Sequence, residues 1–275
     1  MCHFHGRVLA ILTVWDHPLR STFVLTVAAT TLLEAVRNRL LWLAGAVVIV
    51  ALGLAQFLNQ VAITESLQIQ IALLAAMLRV AAVFIVATFI ITSMVRDAND
   101  KVMELLLSHP VPRWAYFLGK FAGYALVAAV VALVFALPLA LFAPTAGVLV
   151  WAASLLFELL IVASMSLFCV LTLTQVLSAF AATAGFYLLS RSMAAMQLIA
   201  GASLTHEHTT ADILVNGIVN TIALLLPGLD RMTRTDWLVD VVPGAGEVFG
   251  FIVPSTVYVV MIASAALFDL HRKNF

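Results

Sequence analysis

Six stretches of this chain are too long and too apolar to sit in a soluble core. Residues 40–58 carry no charge, 71–95 carry only Arg79, and 121–142 are apolar with Pro138 near their end. Residues 147–173 carry only Glu158, 176–200 only Arg191, and 248–268 are uncharged, with a kink expected at Pro254. About 20 apolar residues in a helix cross the hydrocarbon of a bilayer, and a helix satisfies its own backbone there. The composition agrees: 64% of residues are hydrophobic, 10% are charged, and the mean hydropathy is +1.11. The expected fold is an all-α integral membrane protein with six transmembrane helices, spread over residues 40–275. A shorter apolar piece, 213–226, contains Asn216 and Asn220, stops at Pro227-Gly228, and reads as a re-entrant or interfacial helix before the sixth span.

Basic residues in short loops are retained on the cytoplasmic side. With six spans, one side collects Arg7, Arg20, Arg37, Arg39, Arg96, Lys101, Arg113, Lys120, Arg272 and Lys273, and the other Arg231 and Arg234. Both termini are therefore expected in the cytoplasm of a multi-pass protein of the inner (plasma) membrane. Residues 8–15 are apolar but short of a span and lack a small-residue cleavage site, so no removable signal is expected. Residues 1–39 read as a cytoplasmic N-terminal segment whose portion 16–39 is either an amphipathic interfacial helix or, before Ser21, a disordered tail. A net charge of +0 argues against nucleic-acid partners, which demand a basic surface. Cys2 and Cys169 indicate no disulfide framework.

Between the second and third spans the chain turns polar: DANDKVMELLLSHPVPRWAYFLGK, residues 97–120. On a helix begun at Asp97, the residues Asp97, Asp100, Lys101, Glu104 and Ser108 form one stripe, and Val102, Leu105, Leu106 and His109 the opposing one. Asp97 is placed to cap that helix, and Pro110 and Pro112 to end it, which gives a short helix lying flat along the cytoplasmic surface. Arg113 and Trp114 suit an interface anchor. Gly119 and Gly123, four residues apart, permit close helix packing.

The run RDANDKVMELLLSHPVPRWAYFLGK resembles the signature of ABC-2 type transporter permeases. Asp97 stands at that signature's acidic position, Glu104-Leu105-Leu106 at its E-L-L, and Pro110, Arg113, Gly119 and Lys120 at its last landmarks. Lys101-Val102 departs from the usual Gly-Thr. The ending LFDLHRKNF is similar to the family's F-x-x-R-R-x-F close, and LLLPGLDRM to the L-P-N-L segment of a subgroup that includes copper-enzyme-maturation permeases. The resemblance implies a coupling helix at 97–109 that docks on a separate ATP-binding cassette subunit, which holds the ATP and magnesium. It also implies pairing with a second copy or a sister permease. Asp97, Asp100, Lys101, Glu104, Leu105, Leu106, Pro110 and Arg113 would then carry the coupling, and no cofactor or catalytic residue is expected in this chain. The pair Gly119-Lys120 lacks the upstream glycine and following hydroxyl of a phosphate-binding loop.

The three intramembrane charges share a level. Counted from the outer ends of their spans, Arg79, Glu158 and Arg191 all lie about 12 to 16 Å deep at 1.5 Å per residue. An isolated charge there costs several kcal/mol, so Glu158 bridging one or both arginines, a polar lining for a substrate path, and an arginine snorkelling to the headgroups are the readings left open. His206, Glu207, His208 and Asp212, like Cys2, His3 and His5, match no established metal spacing, and Ser164 and Ser166 read as serines bonded back to their helix. An ATP-driven exporter of a hydrophobic or amphipathic substrate is the leading reading. A permease passing force to an outer-face assembly partner, and an ATP-independent carrier using Glu158, are the alternatives.

Overall fold

The computed structural model describes residues 22–61, 66–100, 112–173, 175–202, 217–223, 226–232, 236–238 and 244–272. Among these residues every regular element is helical. In chain order they are α1 (Thr22–Arg37), α2 (Leu40–Val61), α3 (Ser66–Asn99), α4 (Arg113–Leu139), α5 (Thr145–Leu173), α6 (Val176–Ala202), the short α7 (217–223) and α8 (Ala245–Arg272). Two 3-10 turns, Leu229–Met232 and Asp236–Leu238, precede α8.

Four of these helices are long and apolar enough to cross a membrane: Gln68–Asn99, Arg113–Leu139, Thr145–Leu173 and Gly246–Arg272. The arms Thr22–Arg37 and Trp42–Phe57, bent by 54°, form a broken span or a re-entrant pair, which brings the total to as many as five. The expected first span is thus one arm of a bent pair. The bend falls at Arg39, whose φ of 57° interrupts the helix. α6 has the length of a span but is not among the candidates, and its sequence carries Ser178, Thr183, Ser190, Arg191 and Ser192.

α5 is the central post. It packs against α3, α4, α6 and α8. Two thirds of its most apolar window is buried (67%), as expected of a helix that is apolar on every face. α8 lies at the edge, with 28% of its window buried. Its Phe251 makes aromatic contacts with Phe157 of the post and Trp237 of the second 3-10 turn, and the helix runs continuously through Pro254.

Two close approaches fix the packing. A Cβ at Gly119 would lie 2.8 Å from Val27 Cβ, and one at Gly123 would lie 2.6 Å from Thr31 Cβ. Only glycine lets α4 come this near α1, so the spacing of the two glycines expresses a helix crossing. At the other end of the bundle, the carbonyl of Trp237 occupies the space a Cβ at Gly147 would need, which seats the second 3-10 turn on the start of α5.

The helix ends sort to two sides. Arg113, at the start of α4, donates to the carbonyls of Leu270 (3.3 Å) and His271 (3.2 Å) at the end of α8. Thr172, at the end of α5, donates to Asp269 at 3.2 Å. The ends of α3, α5 and α8 and the start of α4 therefore share one side, the side of residues 97–120. The starts of α5 and α8 and the 3-10 turns share the other.

Candidate functional site

Two polar clusters interrupt the hydrocarbon interior, and α3 contributes to both. The first lies at the side where the polar stretch leaves and re-enters the bundle. α3 continues to Asn99, so Asp97 is in its last turn instead of capping a new helix. The apolar run ends at Val95, but backbone hydrogen bonding carries on past it, with the Asp100 N–H donating to the Arg96 carbonyl. The expected start of a flat helix at Asp97 is corrected accordingly.

Asp97 Oδ2 lies 2.6 Å from Lys120 Nζ and accepts a hydrogen bond from Tyr116 Oη at 3.1 Å. Lys120 also approaches Glu34 Oε2 of α1, at 3.9 Å, and the face of the Tyr124 ring, at 5.9 Å. Ser93 Oγ donates to Glu34 at 2.9 Å, and Tyr124 Oη to Ser93 at 3.2 Å. One buried cation and two carboxylates thereby join α1, α3 and α4. Glu34 is absent from the sequence reading. Its signal is a lone carboxylate in an otherwise uncharged stretch between Arg20 and Arg37.

The proposed coupling residues divide. Asp97 and Arg113 face inward, to Lys120 and to the end of α8, and hold the two roots of the polar stretch. Asp100 is exposed. Lys101, Glu104, Leu105, Leu106 and Pro110 lie outside the described residues, as do His206 to His208, Asp212 and the Cys2, His3 and His5 group. Among the described residues no group of three metal-ligating side chains occurs. Ser164 donates back to the Ile161 carbonyl of its own helix.

The second cluster is at mid-bundle. Arg79 of α3 and Glu158 of α5 are buried, 2% and 0% exposed, with Arg79 Nη1 2.5 Å from Glu158 Oε2. Arg79 Nη2 donates to Ser154 Oγ at 3.0 Å, and the guanidinium stacks over the Trp151 ring at 5.2 Å. The other carboxylate oxygen, Oε1, accepts from Tyr187 Oη at 3.0 Å and lies 3.7 Å from Arg191 Nη1. The Arg191 side chain is 30% exposed, but its Nη1 is itself buried and has no hydrogen-bond partner among the described residues. Glu158 thus sits between a close, fully buried arginine and a second one farther off. Ser154, Trp151 and Tyr187 were not among the expected site residues. They share faces with Glu158 and Arg191 at intervals of three, four and seven along α5 and α6, a signal that appears only once the charged residues are taken as a centre.

A third feature is a cavity of about 480 Å³ between α6, the 3-10 turns and α8, on the side away from residues 97–120. Met193, Met232 and Phe251 supply apolar wall, and Gln197, Ser255 and Tyr258 polar wall.

The family model for ABC-2 family transporter proteins matches residues 54–270, most of the chain, from within α2 to near the end of α8. The chain belongs to the ABC-2 transporter family. No curated protein matches it. As an ABC-2 family chain it is a multi-pass membrane protein and the transmembrane subunit of a transporter. ABC-2 membrane subunits are typically non-catalytic and generally work with an ATP-binding cassette subunit and within the bilayer.

Proposed function

We propose that this ABC-2 chain is the membrane subunit of an ATP-driven exporter of a hydrophobic or amphipathic substrate. A separate ATP-binding cassette subunit, carrying ATP and magnesium, docks on residues 97–109, and the chain itself holds no cofactor. Six spans, with α2 as the first, α1 as the interfacial entry helix leading into it and α6 as the fifth, put both termini on the cytoplasmic face of the inner (plasma) membrane. The chain functions beside a second copy or a sister permease.

One observation carries the reading. The roots of the polar stretch are locked into the bundle by the Asp97–Lys120–Glu34 cluster and by Arg113 on the end of α8. A loop whose only duty were solubility has no need for buried charge at its base, since a lysine and two carboxylates withdrawn from water must offset their own desolvation. A loop that receives force from a partner needs such roots, because they pass its displacement to α1, α3, α4 and α8. The mixed wall of the 480 Å³ cavity on the far side suits an amphipathic solute.

The test is Glu104→Lys, which reverses one charge of the polar stretch and leaves Asp97, Lys120, Glu34 and Arg113 unchanged. ATPase-subunit co-purification or substrate-stimulated ATP hydrolysis should fall to background while the melting temperature is unchanged. Wild-type levels of both in the variant would refute docking at this stretch.

A further inference from the structure

We propose that the chain holds one anionic phospholipid of the leaflet on the side of residues 97–120, in a groove where the α1–α2 bend meets α3. The groove has a volume of about 560 Å³. Leu43, Phe84, Ile85 and Phe89 line its apolar wall, and Asn38 and Arg39 its polar end. A second recess of about 480 Å³, lined by Arg37, Asn38 and Arg96, adjoins it through the shared Asn38. Arg39 thus stands at the polar end of the groove, with Arg37 and Arg96 in the adjoining recess, while the apolar wall is interrupted only by Thr88 and Thr92.

Among the described residues no carboxylate lies within ion-pair distance of Arg37, Arg39 or Arg96, whereas Arg79, Lys120 and Arg191 all have carboxylate partners. Two carboxylates face this region and both are engaged elsewhere. Glu34, on the wall of the recess, accepts from Ser93 and lies near Lys120, and Asp97 is bound to Lys120 and Tyr116. Asp100 is exposed one turn beyond Arg96 and makes no ion pair with it among the described residues. Three positive charges around the helix bend and the end of α3, beside a 560 Å³ groove with a largely apolar wall, complement a phosphate ester carrying a diacylglycerol. Neutral lipid leaves those charges unanswered. Each arginine engaged with anionic lipid should raise its preference about fivefold. The inference depends on α1 to α3 lying in a bilayer, not on the ATPase partner or on the direction of transport.

Trp42 supplies the probe, since it lines the groove and is 81% exposed. The full chain is reconstituted in vesicles of phosphatidylcholine with brominated phosphatidylglycerol, or with brominated phosphatidylcholine, and quenching at Trp42 is read as the difference between wild type and Trp42→Phe. Brominated phosphatidylglycerol should quench Trp42 several-fold more effectively. The preference should vanish in Arg37→Gln/Arg39→Gln/Arg96→Gln and persist in the corresponding triple lysine variant, which keeps the charge. Equal quenching by the two lipids in wild type, or an undiminished preference in the glutamine variant, overturns the proposal. So does an equal preference at Trp114, which lies outside the groove at the start of α4 and would report a general attraction of the surface for anionic lipid. Loss of the preference on adding inorganic phosphate would assign the arginines to a soluble anion and overturn it too.

Discussion

Replacing Glu158 by alanine tests what holds the middle of the bundle together. The substitution removes the carboxylate that lies 2.5 Å from Arg79 and 3.7 Å from Arg191, and leaves Tyr187 without its acceptor. Arg79, 2% exposed, then keeps only the Ser154 hydroxyl and the Trp151 face. Stranding one member of a buried pair costs about 3 to 5 kcal/mol, so Glu158→Ala should lower stability by that much. The two arginines are not equivalent. Arg79→Leu in the Glu158→Ala background removes the stranded cation and should recover most of the loss, giving a coupling energy of about 2 kcal/mol or more. Arg191 lies farther from the carboxylate, at 3.7 Å against 2.5 Å, so its cycle should return a smaller coupling than that of Arg79. Equilibrium unfolding in mixed detergent micelles of the wild type and the two single and one double variants of each cycle reads both numbers. A larger coupling for Arg191 than for Arg79, or a coupling within error of zero for both, would refute the assignment of Glu158 as the partner of Arg79.

Gly147→Ala sets a methyl group against the main-chain carbonyl of Trp237, which cannot rotate away, and should cost about 1 to 3 kcal/mol in the same unfolding assay. Gly123→Ala meets the Thr31 side chain instead, so Thr31→Gly in that background should restore the melting temperature, which Gly147→Ala cannot achieve through any single side-chain trimming. Lys120→Met leaves Asp97 and Glu34 facing each other without a cation and should lower stability by about 2 to 4 kcal/mol, with Glu34→Gln returning part of it; a neutral outcome would show the cluster to be solvated. A fluorescent reporter active only in the cytoplasm, fused after Phe275, should be bright, and a dark reporter with an active periplasmic counterpart would show that residues 213–226 cross the membrane.

The apolar runs made the long helices legible, because hydrocarbon imposes a length and a composition on whatever crosses it. They did not mark where helices stop. Asp97 looked like the cap of a new helix since the apolar run ends two residues earlier, yet α3 runs on to Asn99 because a helix end is set by backbone bonding and caps, not by hydrophobicity. The depth count brought Arg79, Glu158 and Arg191 to one level, which needs only the rise per residue. Which arginine stands closer depends on how α3 and α6 are rotated about their axes, and that is decided by the packing of side chains around α5. Glu34 and the bond from Arg113 to the end of α8 escaped for the same reason: each partner is a long way off in sequence, and nothing local to either residue records it. Gly119 and Gly123 were readable because a close crossing needs two small residues on one face of one helix.

α3 is the element that makes the two clusters one arrangement. Asp97 and Arg79 stand on it 18 residues apart, about 27 Å of continuous helix. No break separates them, and no side chain is shared between the Lys120 cluster and the Glu158 cluster. A displacement delivered where Asp97 meets Lys120 therefore reaches the middle of the bundle through the rigidity of the helix, without a chain of polar contacts along the way. At the far end the displacement meets Glu158 on α5, the post against which α4, α6 and α8 also pack. The bond from Arg79 to Glu158 is directional and closes over a short distance, so an axial shift of α3 by a fraction of a turn must break it or carry α5 along. Arg191, 3.7 Å from the other oxygen of the same carboxylate, would be the cation left to Glu158 if Arg79 were drawn away. Under the proposed function, residues 97–109 are where ATP-driven motion would enter α3, and the Arg79–Glu158 bond is where it would reach α5.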